Sequence, residues 1–174
     1  MNGDLMALIV ETGAVVPNAN TYVTRQELID YAVLRGVVIA DDDASDILLI
    51  SATDYLESFR ARYKGAEVQP GVQPLAWPRE GVTAGFVIVG SDTIPDAIKK
   101  AQIVLAMEAS KGTVLLPTQK PQTGGVTLIR QKLGPIEKQY AVTGDTDTPL
   151  DVPLATSTIA PYLRSGGVTK AVRV

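Results

Sequence analysis

Leu75-Ala76-Trp77-Pro78-Arg79-Glu80-Gly81-Val82 joins two helical segments that are each too apolar to stand alone, and it holds the only Trp of the chain. Pro78 pushes the backbone of Trp77 toward an extended conformation. A large aromatic body on an extended loop between two helices reads as a plug that docks a crossover onto the core. Core packing is therefore the expected role of Trp77.

Upstream of this stretch, a helix is expected over about 44–63. Leu48, Ala52, Tyr55, Leu56 and Phe59 keep the three- and four-residue spacing of a core-facing stripe. Acidic residues at its start and Arg60, Arg62 and Lys64 at its end complement the helix dipole. Earlier still, Thr24-Arg25-Gln26-Glu27 matches a capping box and opens a helix to about Arg35, with Gly36 as its stop. Met6–Val10 is a short β-prone run, Pro17–Asn20 a turn cluster, and 21–23 a brief extended piece.

Downstream, 65–85 is rich in Gly, Pro and Gln and reads as a long crossover, followed by a short strand at Phe86–Val89. Ser91-Asp92-Thr93-Ile94-Pro95 starts a third helix that runs to about Lys111 and ends at Gly112. Ile98, Ala101, Leu105 and Ala109 line one face, and Ile103, Val104 and Met107 add apolar surface elsewhere. Such a helix needs burial on most sides, in a core or against a neighbouring subunit. Residues 112–125 read as a loop, 126–132 and 136–142 as a β-hairpin or arm broken by Gly134-Pro135, and 152–163 as a last helix stopped by Gly166-Gly167. The expected fold is mainly α: four helices, a β-hairpin arm and short strands. One helical domain over 6–163 carries the arm at about 126–142, and a basic tail follows over 164–174.

The 174 residues suit one domain with an arm, and 45% hydrophobic against 20% charged residues can bury a core. Apolar runs such as Ile47-Leu48-Leu49-Ile50 are too short to span a bilayer. No basic n-region precedes an apolar run, so no signal peptide is expected. The absence of Cys and His removes disulfides, thiol nucleophiles, the commonest general base and the commonest metal ligand. A net charge of −3 argues against generic affinity for a phosphate backbone. The sign is uneven, however: no acidic residue follows Asp151, while Arg164, Lys170 and Arg173 do.

Asp41, Asp42, Asp43 and Asp46 invite a calcium reading, but an EF-hand loop starting at Asp41 would need Gly at 46 and Glu at 52, where Asp46 and Ala52 stand. Helix N-capping explains the cluster, and Asp145 and Asp147 fit Asx-turns. No Gly-rich phosphate cradle is present. Ser110-Lys111 is the nearest Ser–Lys pair, and adjacent residues do not face each other on a helix. No catalytic, metal or cofactor residues are assigned, and no enzyme is expected. A basic platform interleaved with aromatics is not evident, since aromatics make up 5% of residues and Arg60 and Arg62 are accounted for by the helix end.

The order of segments carries a resemblance. Its most specific pieces are Leu75-Ala76-Trp77-Pro78-Arg79 and the helix start Ile94-Pro95-Asp96-Ala97-Ile98-Lys99-Lys100-Ala101. Ala52-Thr53-Asp54-Tyr55-Leu56 and Lys132-Leu133-Gly134-Pro135-Ile136 accompany them. Together they resemble the DnaT-like, single-stranded-DNA-binding-named proteins of tailed phages, which look like small helical head–tail adaptors beneath the portal. The resemblance implies a structural virion protein of the neck, made in the host cytoplasm. It would form a homo-oligomeric ring, commonly a dodecamer, between the portal protein and the tail or its stopper, with genomic DNA passing through without sequence-specific binding. No cofactor and no membrane partner are expected. The candidate partner-interface residues are Trp77, Arg79, Arg164, Lys170 and Arg173. The alternative is a single-stranded-DNA-binding module of phage replication or packaging, free in the host cytoplasm.

Overall fold

Thr24 decides where the first helix begins. Its hydroxyl accepts from the backbone N–H of Glu27 at 3.1 Å, and the Glu27 carboxylate accepts from the backbone N–H of Thr24 at 2.6 Å. Helix α1 accordingly spans Arg25–Val33, and Gly36 takes the positive φ of +69° that lets the chain leave it. The computed structural model of the chain describes residues 8–116, 127–133, 136–142 and 152–164. These fall into two compact units, one built from residues up to Leu115 and from Val152 onward, the other from Leu116–Asp151.

In the first unit, α2 spans Asp43–Glu57 and Asp42 caps it by accepting from the backbone N–H of Ser45 at 3.2 Å. The helix stops six residues short of its expected end at 63. The Ser58 hydroxyl donates to the carbonyl of Tyr55 at 2.6 Å, and the chain tightens into a 3₁₀ turn at Arg60–Arg62. The last turn of α2 therefore contains no basic residue, which corrects the dipole role expected for Arg60 and Arg62. Ala52, Tyr55, Leu56 and Phe59 of the expected core stripe are buried, but at its start Leu49 is fully buried and Leu48 only partly. The aspartate cluster serves the helix start as expected, and it does more. Arg25 of α1 meets Asp46 at 2.6 Å, Asp41 at 3.1 Å and Asp43 at 3.4 Å, tying the two helix starts together.

Helix α3 spans Asp96–Ser110, with Pro95 at its N-cap position. Ile98, Ala101, Ile103, Val104, Leu105, Ala106 and Met107 are all buried. Its neighbours are α2, α1 and α4 (Pro153–Ile159), the last continuing as a 3₁₀ turn at Ala160–Tyr162. The all-round apolar surface of α3 is thus covered within its own chain. One polar residue runs through this contact. The fully buried Gln102 accepts from the Tyr22 backbone N–H at 2.9 Å and donates to the Thr21 hydroxyl at 2.7 Å, the Thr53 hydroxyl at 2.8 Å and the Leu49 carbonyl at 3.1 Å. Four buried groups from two distant segments are thereby joined through one amide, three of them (the Thr21 and Thr53 hydroxyls and the Leu49 carbonyl) having a further local partner.

The crossover contains two short antiparallel pairs, β1 (Ala66–Glu67) with β2 (Arg79–Glu80), and β3 (Thr83–Ala84) with β4 (Val87–Ile88). Trp77 is fully buried between the edges of Tyr63 at 5.6 Å and Tyr162 at 5.8 Å, as expected of a plug. The Trp77 backbone N–H donates to the Tyr22 hydroxyl at 3.3 Å, and that hydroxyl donates to Glu57 at 2.7 Å.

The second unit contains β5 (Thr127–Leu133) and β6 (Ile136–Val142), paired antiparallel from Thr127 opposite Val142 to Leu133 opposite Ile136. The arm is a hairpin, as the alternating pattern requires. Among the described residues the fold is mainly α, with four helices, small antiparallel strand pairs and this hairpin. Among the described residues no helix is long and apolar enough to cross a membrane. Met6 and Ala7, the loop over 117–125, Asp145, Asp147, Lys170, Arg173 and the rest of the tail after Arg164 lie outside the described residues.

Candidate nucleic-acid interface

Two segments distant in sequence meet beside the plug. Tyr63 bridges Leu163 antiparallel, the Lys64 N–H donates to the Tyr162 carbonyl at 2.9 Å, and the Arg164 N–H donates to the Arg62 carbonyl at 2.7 Å. This pairing carries Arg164 to the mouth of an open cleft of about 420 Å³ lined by Arg60, Ala61, Gly65, Ala66, Glu67, Pro70, Arg79 and Arg164.

Gly65 is needed at the mouth. Its φ is +69°, and a Cβ there would lie 2.1 Å from the Glu80 carbonyl oxygen. The bare backbone at 65 offers its carbonyl to both Arg79 and Arg164, each at 3.2 Å. Arg79 also donates to the carbonyls of Lys64 at 2.8 Å and Ala76 at 3.2 Å. Arg60 donates to Glu67 at 2.7 Å and to the carbonyls of Gln73 and Pro74, and it faces Glu57 at 3.5 Å.

Three guanidinium groups thus share a cleft with one carboxylate, Glu67, which lies 3.9 Å from Arg79. Burial pulls the Arg79 guanidinium below its ordinary pKa; Glu67 opposes this, and the positive charges of Arg164 and Arg60 add to it. Burial acts against the charge of Arg60 as well, but Glu67 and Glu57 outweigh it and hold its pKa up. An anion in the cleft would relieve the crowding of like charge. Residues 60–82 carry Arg60, Arg62, Lys64 and Arg79 against Glu67 and Glu80, so this strip is positive on a chain of net charge −3. What the arrangement can do chemically is hold an anionic group by forked, charge-assisted hydrogen bonds.

Of the expected interface residues, Trp77 belongs to the core and presents nothing to a partner, because its entire surface is covered. Arg79 is nearly buried and acts chiefly as a pin for the carbonyls around it, with one edge on the cleft. Arg164 is exposed and lines the cleft. Sequence reasoning missed the convergence of Arg60 with Arg164, since no local spacing announces a pairing between segments a hundred residues apart. It also missed two buried polar groups, Gln102 and Glu11, and the partly buried Glu57. Glu11 accepts from the backbone N–H groups of Gly13, Val15 and Val16 at 2.8–3.1 Å. Glu57 accepts from Tyr22 and from the Ala76 N–H at 2.9 Å, and burial raises its pKa above the ordinary carboxylate value. Among the described residues no group of three or more acidic side chains is arranged to hold a metal ion.

The first unit is thus a small helical domain with a cationic cleft where two of its chain segments join. The family model described as "Putative DnaT-like ssDNA binding protein" matches residues 6–174, and the chain belongs to that family. No curated protein and no solved structure matches it.

Proposed function

We propose that this chain binds single-stranded DNA and that the cleft between Arg60, Arg79 and Arg164 takes successive phosphates of the strand, about one for each guanidinium. The observation that carries this is the positive, open cleft on an otherwise acidic chain, and the family description supplies single-stranded DNA as the ligand. Few cations take part, so affinity is modest and its dependence on salt is clear but shallow. About three phosphate contacts correspond to a log–log salt slope of about −2 for a single strand. Titrating a labelled oligothymidine with the protein at low salt, by fluorescence anisotropy, tests it. Micromolar, salt-sensitive binding is expected, and no binding at low salt would overturn it.

One observation favours a second reading. The β5–β6 hairpin forms a unit of its own, and a two-stranded pair is marginally stable alone. A hairpin of this kind suits contact with a neighbouring subunit. In that reading the chain is a head–tail adaptor of a phage neck, assembled as a ring on the portal protein and receiving the tail or stopper, with Lys170, Arg173 and the rest of the basic tail docking on the portal. Light scattering followed by electron microscopy, with and without a portal, tests it. Rings with a central hole support the adaptor. Absence of any assembly even on a portal sinks it.

A further inference from the structure

The β3–β4 hairpin is the most exposed apolar feature among the described residues. Phe86 is 106% exposed, Ile88 81% and Val87 67%, although the root of the hairpin is held firmly. Val82 before it is fully buried, and the Val89 N–H donates to the Val82 carbonyl at 3.0 Å. Thr83 pairs with Ile88 and Ala84 with Val87, leaving Gly85, at φ +62°, and Phe86 as the two-residue turn. An aromatic ring is therefore presented to solvent on a fixed turn, where burying it against the helices would have been the default.

The surroundings of that turn state what kind of partner fits. Lys64 donates through its ammonium group to the Thr83 carbonyl at 3.2 Å, at the root of the hairpin, and to the Pro161 carbonyl at 2.7 Å. The Lys64 carbonyl is in turn the acceptor of Arg79. The hairpin, Lys64 and the arginine cleft are thus successive parts of one hydrogen-bonded strip. A free aromatic face on a hairpin whose root is bonded by a cation of this strip is complementary to a ligand with alternating flat rings and negative charges, which a single nucleic-acid strand provides and a base-paired duplex does not.

We infer that Phe86 is the base-stacking contact of this surface: an unpaired base lies on its ring while the adjoining backbone phosphates run past Lys64 toward Arg164. This rests on the single-stranded-DNA reading above and names the part of the strand that each element recognises. Recognition is tolerant of sequence, because every base has a π-face. Val87 and Ile88 widen the apolar surface beside the ring.

The test uses the full chain with three variants of one residue and two probes. Phe86→Ala removes the ring at a fully exposed position, so the fold stays intact and an unchanged thermal midpoint confirms it. Oligothymidine and an abasic oligonucleotide of equal length are the probes. The unsubstituted chain is expected to bind oligothymidine more tightly than the abasic strand, and Phe86→Ala to lose about fivefold or more for oligothymidine only. Phe86→Trp should retain binding, and its emission should fall on adding oligothymidine, against the background of the buried Trp77. Phe86→Leu keeps apolar bulk without a stacking face and should behave like Phe86→Ala. Equal binding of both probes by the unsubstituted chain, or unchanged oligothymidine affinity in Phe86→Ala, would overturn the stacking role while leaving phosphate binding in the cleft standing. No binding of either probe would overturn both.

Discussion

Arg79 donates its Nε–H to the carbonyl of Lys64 at 2.8 Å, so a nearly buried guanidinium fixes the segment from which the exposed cations project. The remainder of its fork takes the carbonyls of Ala76 and Gly65. Arg79 is in this sense a positioning residue: it shapes the cleft and contributes charge from its wall.

Arg79→Ala should therefore act first on stability. Three carbonyl groups lose a charged donor at once, and a loss of about 2–4 kcal/mol is expected in urea unfolding. Arg79→Lys should recover only part of it, since an ammonium group cannot reproduce the planar fork.

Arg164→Ala should act on binding and spare the fold. Its side chain is exposed and gives one hydrogen bond to the Gly65 carbonyl, so the change in unfolding free energy should stay within about 0.5 kcal/mol. Oligothymidine affinity should weaken, and the salt slope should shrink by about 0.7, the share of one phosphate contact. An unchanged slope would remove Arg164 from the contact surface.

Gln102 should be among the most sensitive positions in the core. Gln102→Leu keeps volume but leaves the Tyr22 N–H and the Leu49 carbonyl without this partner in a fully buried setting. A cost of about 2–4 kcal/mol is expected, measured by denaturant midpoint at constant m-value.

Glu57 sets a pH dependence. Burial raises its folded-state pKa above the unfolded value of 4.5, so the native state holds this proton more tightly than the unfolded chain does. Its contribution to stability is fully present below pH 4.5 and is lost as pH rises through the folded-state pKa. Asp54, also raised by partial burial, acts in the same direction. Glu57→Gln keeps an acceptor for Tyr22 and Ala76 and should flatten the decline of thermal midpoint above pH 4.5.

The capped helix start, the Gly stops, the Trp plug and the hairpin were legible because each is decided within a few residues. Thr24 and Glu27 face each other by helix geometry, and Pro78 constrains Trp77 directly. The end of α2 was not legible, because apolar spacing continues through Phe59 while Ser58 bonds back to Tyr55 and turns the chain. Gln102 and Glu57 look like surface residues in sequence; their partners lie 80 and 35 positions away. The cleft was hidden for the same reason. Arg60 and Arg62 read as helix-end charges until Arg164 is brought beside them by the Tyr63–Leu163 bridge. Phe86 read as part of a strand, and only the register places it in the turn.

The most direct measurement is the anisotropy of a labelled oligothymidine titrated with the full chain and with Arg164→Ala, each at low and at moderate salt. Micromolar binding with a slope of about −2, reduced in the variant, is the result expected of about three backbone phosphates held along Arg60, Arg79 and Arg164. Absence of binding at low salt, or binding that neither salt nor Arg164→Ala changes, would contradict it.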